Sequence, residues 1–187
     1  EKNIASEKGG GIYIQSSTSE FNNLILKENE SNLGGAIYAL DSEIDFYHLT
    51  GFMNDANYGA NLSSENSQIS IYNSIFWESA NSTFDINNED LIIQNSILSS
   101  QNLGESNFYV HPEFSETNQF GLTRVSSGLG QGIINESITT DVYGNPRVQS
   151  TNLNILNPDI GAVEHNLGEK RFINWHVSHI GNNNNSG

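Results

Sequence analysis

Three acidic residues alternate along one short segment of the chain: Asp41, Glu43 and Asp45. A glycoside hydrolase needs two carboxyl groups that face each other roughly 5–10 Å apart, one as an acid and one as a base or nucleophile. Alternation could place these three side chains on one face of a β-strand. No such group recurs on the equivalent segment further along the chain, so solvated acidic turns explain the residues better. A second acidic group falls in or beside a turn: Asp85, Glu89 and Asp90.

Lysine residues are the next set that could do chemistry, because a lyase that acts on acidic polysaccharides uses Lys or Arg as its base. That cation stands beside Asp or Glu residues that hold calcium against the substrate. The first hundred residues contain only Lys2, Lys8 and Lys27 as cations, and none lies in a repeated position with paired acids. Acidic oxygens could bind calcium, but no Asp-x-Asp-x-Asp-Gly loop occurs. We therefore predict no cofactor and keep calcium as an alternative.

Histidine and aromatic residues offer two further possibilities. His165, His176 and His179 could share a metal ion, but they are spread over a polar tail, so we predict no metal site. Trp77 and Tyr72 could form a platform on which a sugar stacks, although an aromatic ring that covers a turn explains Trp77 as well. No catalytic residue is predicted. These residues together favour a non-enzymatic protein without excluding an enzyme.

Composition excludes several classes of protein. The chain has 22 Asp and Glu against 7 Lys and Arg, for a net charge of −15, and phosphate binding needs clustered cations. Nucleic acid is therefore not a predicted partner. No apolar run approaches the ~18 residues that a membrane-spanning helix needs. Only 35% of the residues are hydrophobic, yet they fall in short alternating runs, which predicts strands around a narrow core rather than a disordered chain.

A repeat organises these strands. Gly10-Gly11-Ile12-Tyr13-Ile14 recurs 25 residues later as Gly35-Ala36-Ile37-Tyr38-Ala39, and Gly59-Ala60-Asn61-Leu62 is a weaker third copy. A repeat of this length that holds short strands is one coil of a solenoid, which buries its inward residues against neighbouring coils. Nothing of helical period lies between the strands, which argues against a leucine-rich repeat. Two more columns keep the step: Ser19, Ile44, Ile69 and Leu91; Phe21, Phe46, Ile71 and Ile93.

Polar residues also recur in columns. One contains Asn23, His48, Asn73 and Asn95, and another contains Asn29 and Asn54. Stacked asparagine side chains can donate hydrogen bonds to one another along the column, as they do in cross-β structures. We therefore predict structural asparagine ladders and interpret His48 as a substitute within one of them rather than as a catalyst. This interpretation gives the abundance of asparagine a structural cause.

The segment Asn3-Ile4-Ala5 followed by Gly9-Gly10-Gly11-Ile12-Tyr13 resembles the coils of Pmp-like and pectate-lyase-like proteins. Those proteins fold as right-handed parallel β-helices. The repeat and the resemblance together predict an all-β chain, a right-handed parallel β-helix (solenoid) with about four coils of 22–25 residues over residues 1–103.

The rest of the chain carries further motifs in a fixed order. Asp-x-x-Gly-Asn-Pro-Arg precedes Asp-Ile-Gly-Ala-x-Glu, an order that resembles the choice-of-anchor Q ending of secreted β-helix proteins. The matching segments are Phe108–Phe114, Ser127–Gly132, Asp141–Arg147 and Pro158–Glu164. The resemblance implies an extracellular or bacterial cell-surface location and a following anchor or sorting signal, in Bacteroidota often for type IX secretion. His111 stands where the family has Asp, which weakens any ligand role for that loop.

We interpret residues 104–166 as a β-rich C-terminal cap, because the last coil of a solenoid otherwise exposes an open strand edge. Arg147 is one of two arginines before residue 170. We predict that it forms an ion pair with Asp159 or Glu164, or with Asp141, and that this pair holds the cap to the last coil.

The tail and the start of the chain bear on its context. Residues 167–187 are predicted to be a linker or the start of a following β-helix domain, since Trp175–Gly187 resembles the segment that opens such domains. The chain begins in mid-pattern, which indicates a fragment. We expect a non-catalytic structural or adhesive segment of a large cell-surface β-helix protein, whose partners are its other segments, surface-associated proteins or glycans. The alternatives are the C-terminal part of a polysaccharide lyase or glycosidase, and a glycan-binding module.

Overall fold

The computed structural model describes residues 1–79, 82–86, 90–99, 103–117, 119–147 and 157–165. In these ranges the chain forms short strands with almost no helix. The strands are β1 (Ile12–Gln15), β2 (Thr18–Asn22), β3 (Ile25–Lys27), β4 (Glu30–Leu33), β5 (Ile37–Leu40), β6 (Glu43–Tyr47), β7 (Thr50–Phe52), β8 (Asp55–Tyr58), β9 (Leu62–Glu65), β10 (Gln68–Tyr72), β11 (Ile75–Trp77), β12 (Phe84–Asp85), β13 (Leu91–Gln94) and β14 (Ile97–Leu98).

The strands form four parallel sheets, and each strand pairs with its equivalent in the next coil. The sheet orders are β1-β5-β9-β12, β13-β10-β6-β2, β14-β11-β7-β3 and β4-β8. The register follows the sequence repeat, so that Ile12 pairs with Ile37 and Ile37 pairs with Leu62. The predicted parallel β-helix is therefore confirmed. It has about three turns rather than about four, and the fourth sheet contains β4 and β8 alone in the described part of the chain.

Left-handed backbone marks the corners of every coil. In the second coil the corner residues are Gly34, Asp41, His48 and Met53, with φ angles of 65°, 49°, 55° and 52°. A residue with a Cβ atom pays about 1–2 kcal/mol for this conformation, least when it is Asn or Asp. At Gly34 an added Cβ atom would overlap the carbonyl of Ile37. Asn23, Asn66, Asn73 and Asn95 also occupy such corners, a role for asparagine that the ladder prediction missed.

The core lies inside the coils, where alternate residues of three sheets meet. Ile44, Phe46 and Ile71 are almost completely buried, and the neighbouring Phe21 and Phe46 rings stack with their centroids 5.5 Å apart. Equivalent residues thus lie over one another from coil to coil, as the columns predict. Among the described residues, no helix is long and apolar enough to span a membrane.

The region after the coils begins by covering the strand edge of the last one. Glu105 bridges to Gln94 and Phe108 bridges to Ile97, both in parallel. The side chain of Asn107 accepts a hydrogen bond from the N–H of Ser96 at 2.9 Å. Residues 104–108 therefore close this edge as a cap should.

Residues 109–117, 119–147 and 157–165, the C-terminal segment, then leave the end of the solenoid and lie along its side, which differs from the predicted cap. They cover the outer face of the sheet β14-β11-β7-β3, where Ile75 and Ile97 pack against Leu122, Leu129 and Ile160. A second cluster joins Ile25 and Phe52 to this region: Phe114, Phe120, Ala162 and Val163. The described part contains two isolated antiparallel bridges there and no strand, so it has less regular β-structure than the coils. An apolar outer face explains the lateral position, because it must be covered along its length.

Candidate functional site

The column of Asn23, His48, Asn73 and Asn95 occupies the corner beside this covered face, and all four residues have φ near 50–55°. Asn73 accepts a hydrogen bond from the N–H of Ile133 and donates one to its carbonyl, each at 2.8 Å. Asn95 donates to the carbonyl of Gln131 at 3.0 Å.

At the other end of the same column, Asn23 donates to the carbonyl of Thr140 at 2.8 Å. Residues 131–140 therefore run from the last coil towards the first. Within the column, one side-chain contact links neighbours, between Asn73 and His48. We name the region where this column contacts residues 128–147 and 157–165 the corner junction. The column attaches the C-terminal segment, which the ladder prediction did not foresee.

The column of Asn29 and Asn54 does form a ladder. The side chain of Asn3 donates to Asn29 at 3.0 Å, and Asn29 donates to Asn54 at 3.0 Å. Asn54 donates in turn to Asn61 at 2.9 Å and to the carbonyl of Leu26 at 2.8 Å. Asn29 and Asn54 are fully buried, so these hydrogen bonds satisfy amides that water cannot reach.

Arg147 lies in the corner junction with 1% of its surface exposed. Its guanidinium donates two hydrogen bonds to the side-chain oxygen of Asn23 and one to the carbonyl of Ala162 at 3.1 Å. It also pairs with Glu164 at 3.2 Å. Because Asn23 belongs to the first coil, Arg147 does not join the cap to the last coil, as predicted, but to the opposite end of the stack. The segment that carries it runs along the side of the solenoid and so reaches that end.

The three acidic residues expected near Arg147 all lie in the corner junction. Glu164 accepts from Arg147 and from the N–H of Asp159, and its own N–H donates to Asp141 at 2.9 Å. Asp159 accepts from the N–H groups of Gly130 at 2.7 Å and His165 at 2.8 Å. Thus Arg147 touches Glu164 directly, and Asp141 and Asp159 act through Glu164 and the backbone.

Burial dominates the electrostatics of this group. It raises the pKa of Glu164 to about 9, together with the charge of Asp159, and Arg147 opposes this only in part. It also raises the pKa of Asp159 and lowers the pKa of Arg147. Burial acts in the same upward direction on Asp141, but hydrogen bonds from Asn145, Glu164 and Tyr143 outweigh it and lower that pKa. These groups are enclosed, which suits them to attachment rather than to chemistry on an external substrate.

The acids considered for hydrolysis lie on a different surface. Glu43 and Asp45 belong to β6, and their register neighbours are Thr18 and Gln68 for Glu43, and Glu20 and Ser70 for Asp45. The pairing of Asp45 with Glu20 on the neighbouring coil was not recognised from the repeat. Asp41 and Glu43 line a shallow groove of about 520 Å³ at the neighbouring corner. Its lining is polar throughout: Ser16, Ser17, Thr18, Asp41, Ser42, Glu43, Asn66 and Gln68.

The suggested aromatic platform is not formed. Tyr72 stacks face to face on Tyr47 at 5.0 Å, so these two rings cover each other. Trp77 instead contacts the ring of His111 edge-on at 5.4 Å beside the C-terminal segment.

The remaining candidate residues are accounted for as follows. Lys2 and Lys27 pair with Glu28, and Lys8 lies 2.7 Å from the hydroxyl of Tyr38. Glu89, His176 and His179 lie outside the described residues, and His165 is buried in the corner junction. The described part of the chain holds no group of three or more residues suited to bind a metal ion.

One signal could have revealed the covered face. β11 reads Ile75-Phe76-Trp77 and β14 reads Ile97-Leu98, without the polar alternation of β6. A strand that is apolar on both faces is buried on both faces. These strands therefore implied that their outer face is covered, but not which part of the chain covers it. Searches against protein-family models, curated proteins and solved structures found no match to this chain.

Proposed function

We propose that this chain is a non-catalytic structural segment of an extracellular, cell-surface β-helix protein, where it acts as a rigid spacer or adhesive stalk. The observation that carries the proposal is the use of its buried polar groups. The asparagine ladder joins coil to coil, and Arg147 with its acids joins the C-terminal segment to the first coil. Such groups hold a chain in one shape.

The proposed location and partners rest on the motifs that resemble Pmp-like coils and the choice-of-anchor Q ending. Other segments of the same surface protein are the partners that such a module would have. A solenoid distributes load through stacked coils, each of which contacts only its neighbours. This suits a spacer that holds another domain away from the cell.

A turnover assay tests the non-catalytic part of the proposal. The folded chain is incubated with uronate polymers and with neutral polysaccharides, and new reducing ends and unsaturated uronates are measured. We expect neither product. Turnover that disappears in Glu43→Gln or Asp45→Asn, but persists in Glu30→Gln on another sheet, would overturn the proposal and support the carbohydrate-active alternative.

Glycan binding is a second candidate because of the polar groove beside β6. Its hydroxyl, amide and carboxylate side chains repeat at the spacing of adjacent strands, about 4.8 Å, which is close to the length of a sugar unit. A glycan array with the wild-type chain and with Asn66→Ala tests it. Binding that is lost in Asn66→Ala and retained in Asn57→Ala, on the separate β4-β8 sheet, would support this function.

A further inference from the structure

His48 is the residue of the corner column that breaks the asparagine pattern. It is 1% exposed and lies between the solenoid and the C-terminal segment. The backbone of Gly161 donates to the carbonyl of the neighbouring Asn73 at 2.8 Å, and Ala162 donates to the hydroxyl of Thr50 at 3.0 Å. The imidazole is therefore enclosed on both sides by contacts that attach the segment.

The hydrogen bonds of Asn73 determine which nitrogen of His48 carries the proton. The Asn73 side chain accepts from the N–H of Ile133 and donates to its carbonyl, so its amide orientation is set by the backbone. Its NH₂ group also lies 3.1 Å from Nε2 of His48. Nε2 must therefore accept, and the neutral ring carries its proton on Nδ1. Nδ1 is buried, and the backbone groups of Gly161 and Asp159 that face the ring favour its protonated form but are outweighed by burial and Arg147.

A second proton would fit this site poorly. It would place an N–H group on Nε2 opposite the NH₂ group of Asn73, which turns an attraction into a repulsion. The new charge would also lie near the cation of Arg147, which already disfavours it.

The other charged groups near the imidazole do not compensate. Asp141, Asp159 and Glu164 surround Arg147 from the C-terminal segment, and their oxygens already accept hydrogen bonds. His165 lies beside Asp159 in the same segment. On the solenoid side, the column neighbours Asn23 and Asn73 are uncharged.

We propose that His48 makes the corner junction acid-labile, so that its protonation releases residues 128–147 and 157–165 and uncovers the apolar outer face that includes Ile75. This inference concerns a conformational change and does not depend on the proposed function.

The sign of the pH dependence follows from the two protonation states. Burial, and then the charge of Arg147, lower the pKa of His48 from 6.5 to about 3. The open form binds the proton more readily, so the closed form keeps its full stability above pH 6.5 and loses it as the pH falls. The opening constant should rise up to about tenfold per pH unit between pH 6 and pH 4.

Hydrogen exchange between pH 7 and pH 4 tests the proposal, with each rate divided by the intrinsic rate at that pH. In the wild type we expect the amide of Ile133 to lose protection as the pH falls, while Ile71 in the core stays protected. His48→Asn, which restores the pattern of the column, should keep Ile133 protected over the whole range. The exposed His111→Asn should behave like the wild type, and His165→Asn shows how much that second buried histidine contributes.

Two outcomes would overturn the proposal. If His48→Asn lost protection at Ile133 over the same pH range as the wild type, another group would drive the opening. If Ile133 and Ile71 lost protection together in the wild type, acid would unfold the whole chain and no local release would exist. His48→Asn adopts the left-handed corner as easily as Asn23 and Asn73 do, so a folding failure is not expected.

Discussion

The described residues between 12 and 98 are joined by backbone hydrogen bonds that repeat from coil to coil. The C-terminal segment contributes two isolated bridges in its described part and is attached largely by individual side chains. In the coils, the repeated alternation of inward and outward residues along each strand places Ile44, Phe46 and Ile71 inside. In the C-terminal segment, attachment depends on single groups such as Arg147 and Asp159. Repetition spreads stability over many equivalent contacts, and a non-repeating segment concentrates it in a few.

This difference predicts two kinds of response to mutation. A change in a coil should weaken a column whose other members remain, but a change at the corner junction should release a whole segment. The changes below test that contrast.

The largest effect is expected for Arg147→Met. It keeps most of the side-chain volume but leaves Glu164 buried without its cation and Asn23 without its donors, so the loss should be about 3–5 kcal/mol. Urea unfolding measures the loss. The exposed Arg124→Met is the control, and a melt of Arg147→Met equal to the wild type would contradict a role in attachment.

Ile71→Ala and Ile75→Ala compare the two sides of the wall that β10 and β11 form. Each removes a fully buried side chain and should destabilise the chain by about 2–5 kcal/mol. Ile75 faces the C-terminal segment and Ile71 faces the core, so the unfolding order should differ. Proteolysis should cut residues 109–147 first in Ile75→Ala only. Equal cleavage patterns in both variants would show that the segment and the coils unfold as one unit.

The asparagine ladder should respond by a smaller amount. Asn54→Ala removes the acceptor of two Asn29 donors and the donor to Asn61, and each buried group left without a partner costs about 1–3 kcal/mol. Asn57→Ala is a matched control, because the Asn57 side chain makes the same kind of bond to Asn32 on the exposed surface. Thermal melting should distinguish the two variants. Similar losses would mean that burial adds nothing to the ladder.

The smallest expected effect is a gain. Met53 occupies a left-handed corner with φ of 52° and is 46% exposed, so its side chain contributes little packing against that strain. Met53→Asn should stabilise the chain by up to about 1 kcal/mol, since Asn tolerates this conformation better. Met53→Ala keeps the strain and should not stabilise it. A melting temperature for Met53→Asn that does not exceed that of Met53→Ala would reject the strain argument.

The strands and their register were predictable because each residue pairs with its own copy 22 or 25 positions away, so that Phe21, Phe46 and Ile71 could be aligned by inspection. The four residues of the ion-pair group could also be chosen, since Arg147 is one of few cations among many acids. The partner Asn23 could not, because it lies 124 residues from Arg147 and nothing in the spacing connects them. The corner role of His48 was missed for a similar reason, since the backbone conformation at a corner leaves no hydropathy signal.

By itself, the sequence determined the parallel β-helix, the faces of its strands, the buried Asn29–Asn54 ladder and the polarity of its surfaces. A fixed repeat makes every contact between coils a contact between equivalent residues. Only the tertiary structure decided that the C-terminal segment lies along the side of the solenoid and that Arg147 reaches the first coil. Those contacts join residues that occur once in the chain, and the apolar face that draws the segment sideways exists only after the coils have stacked.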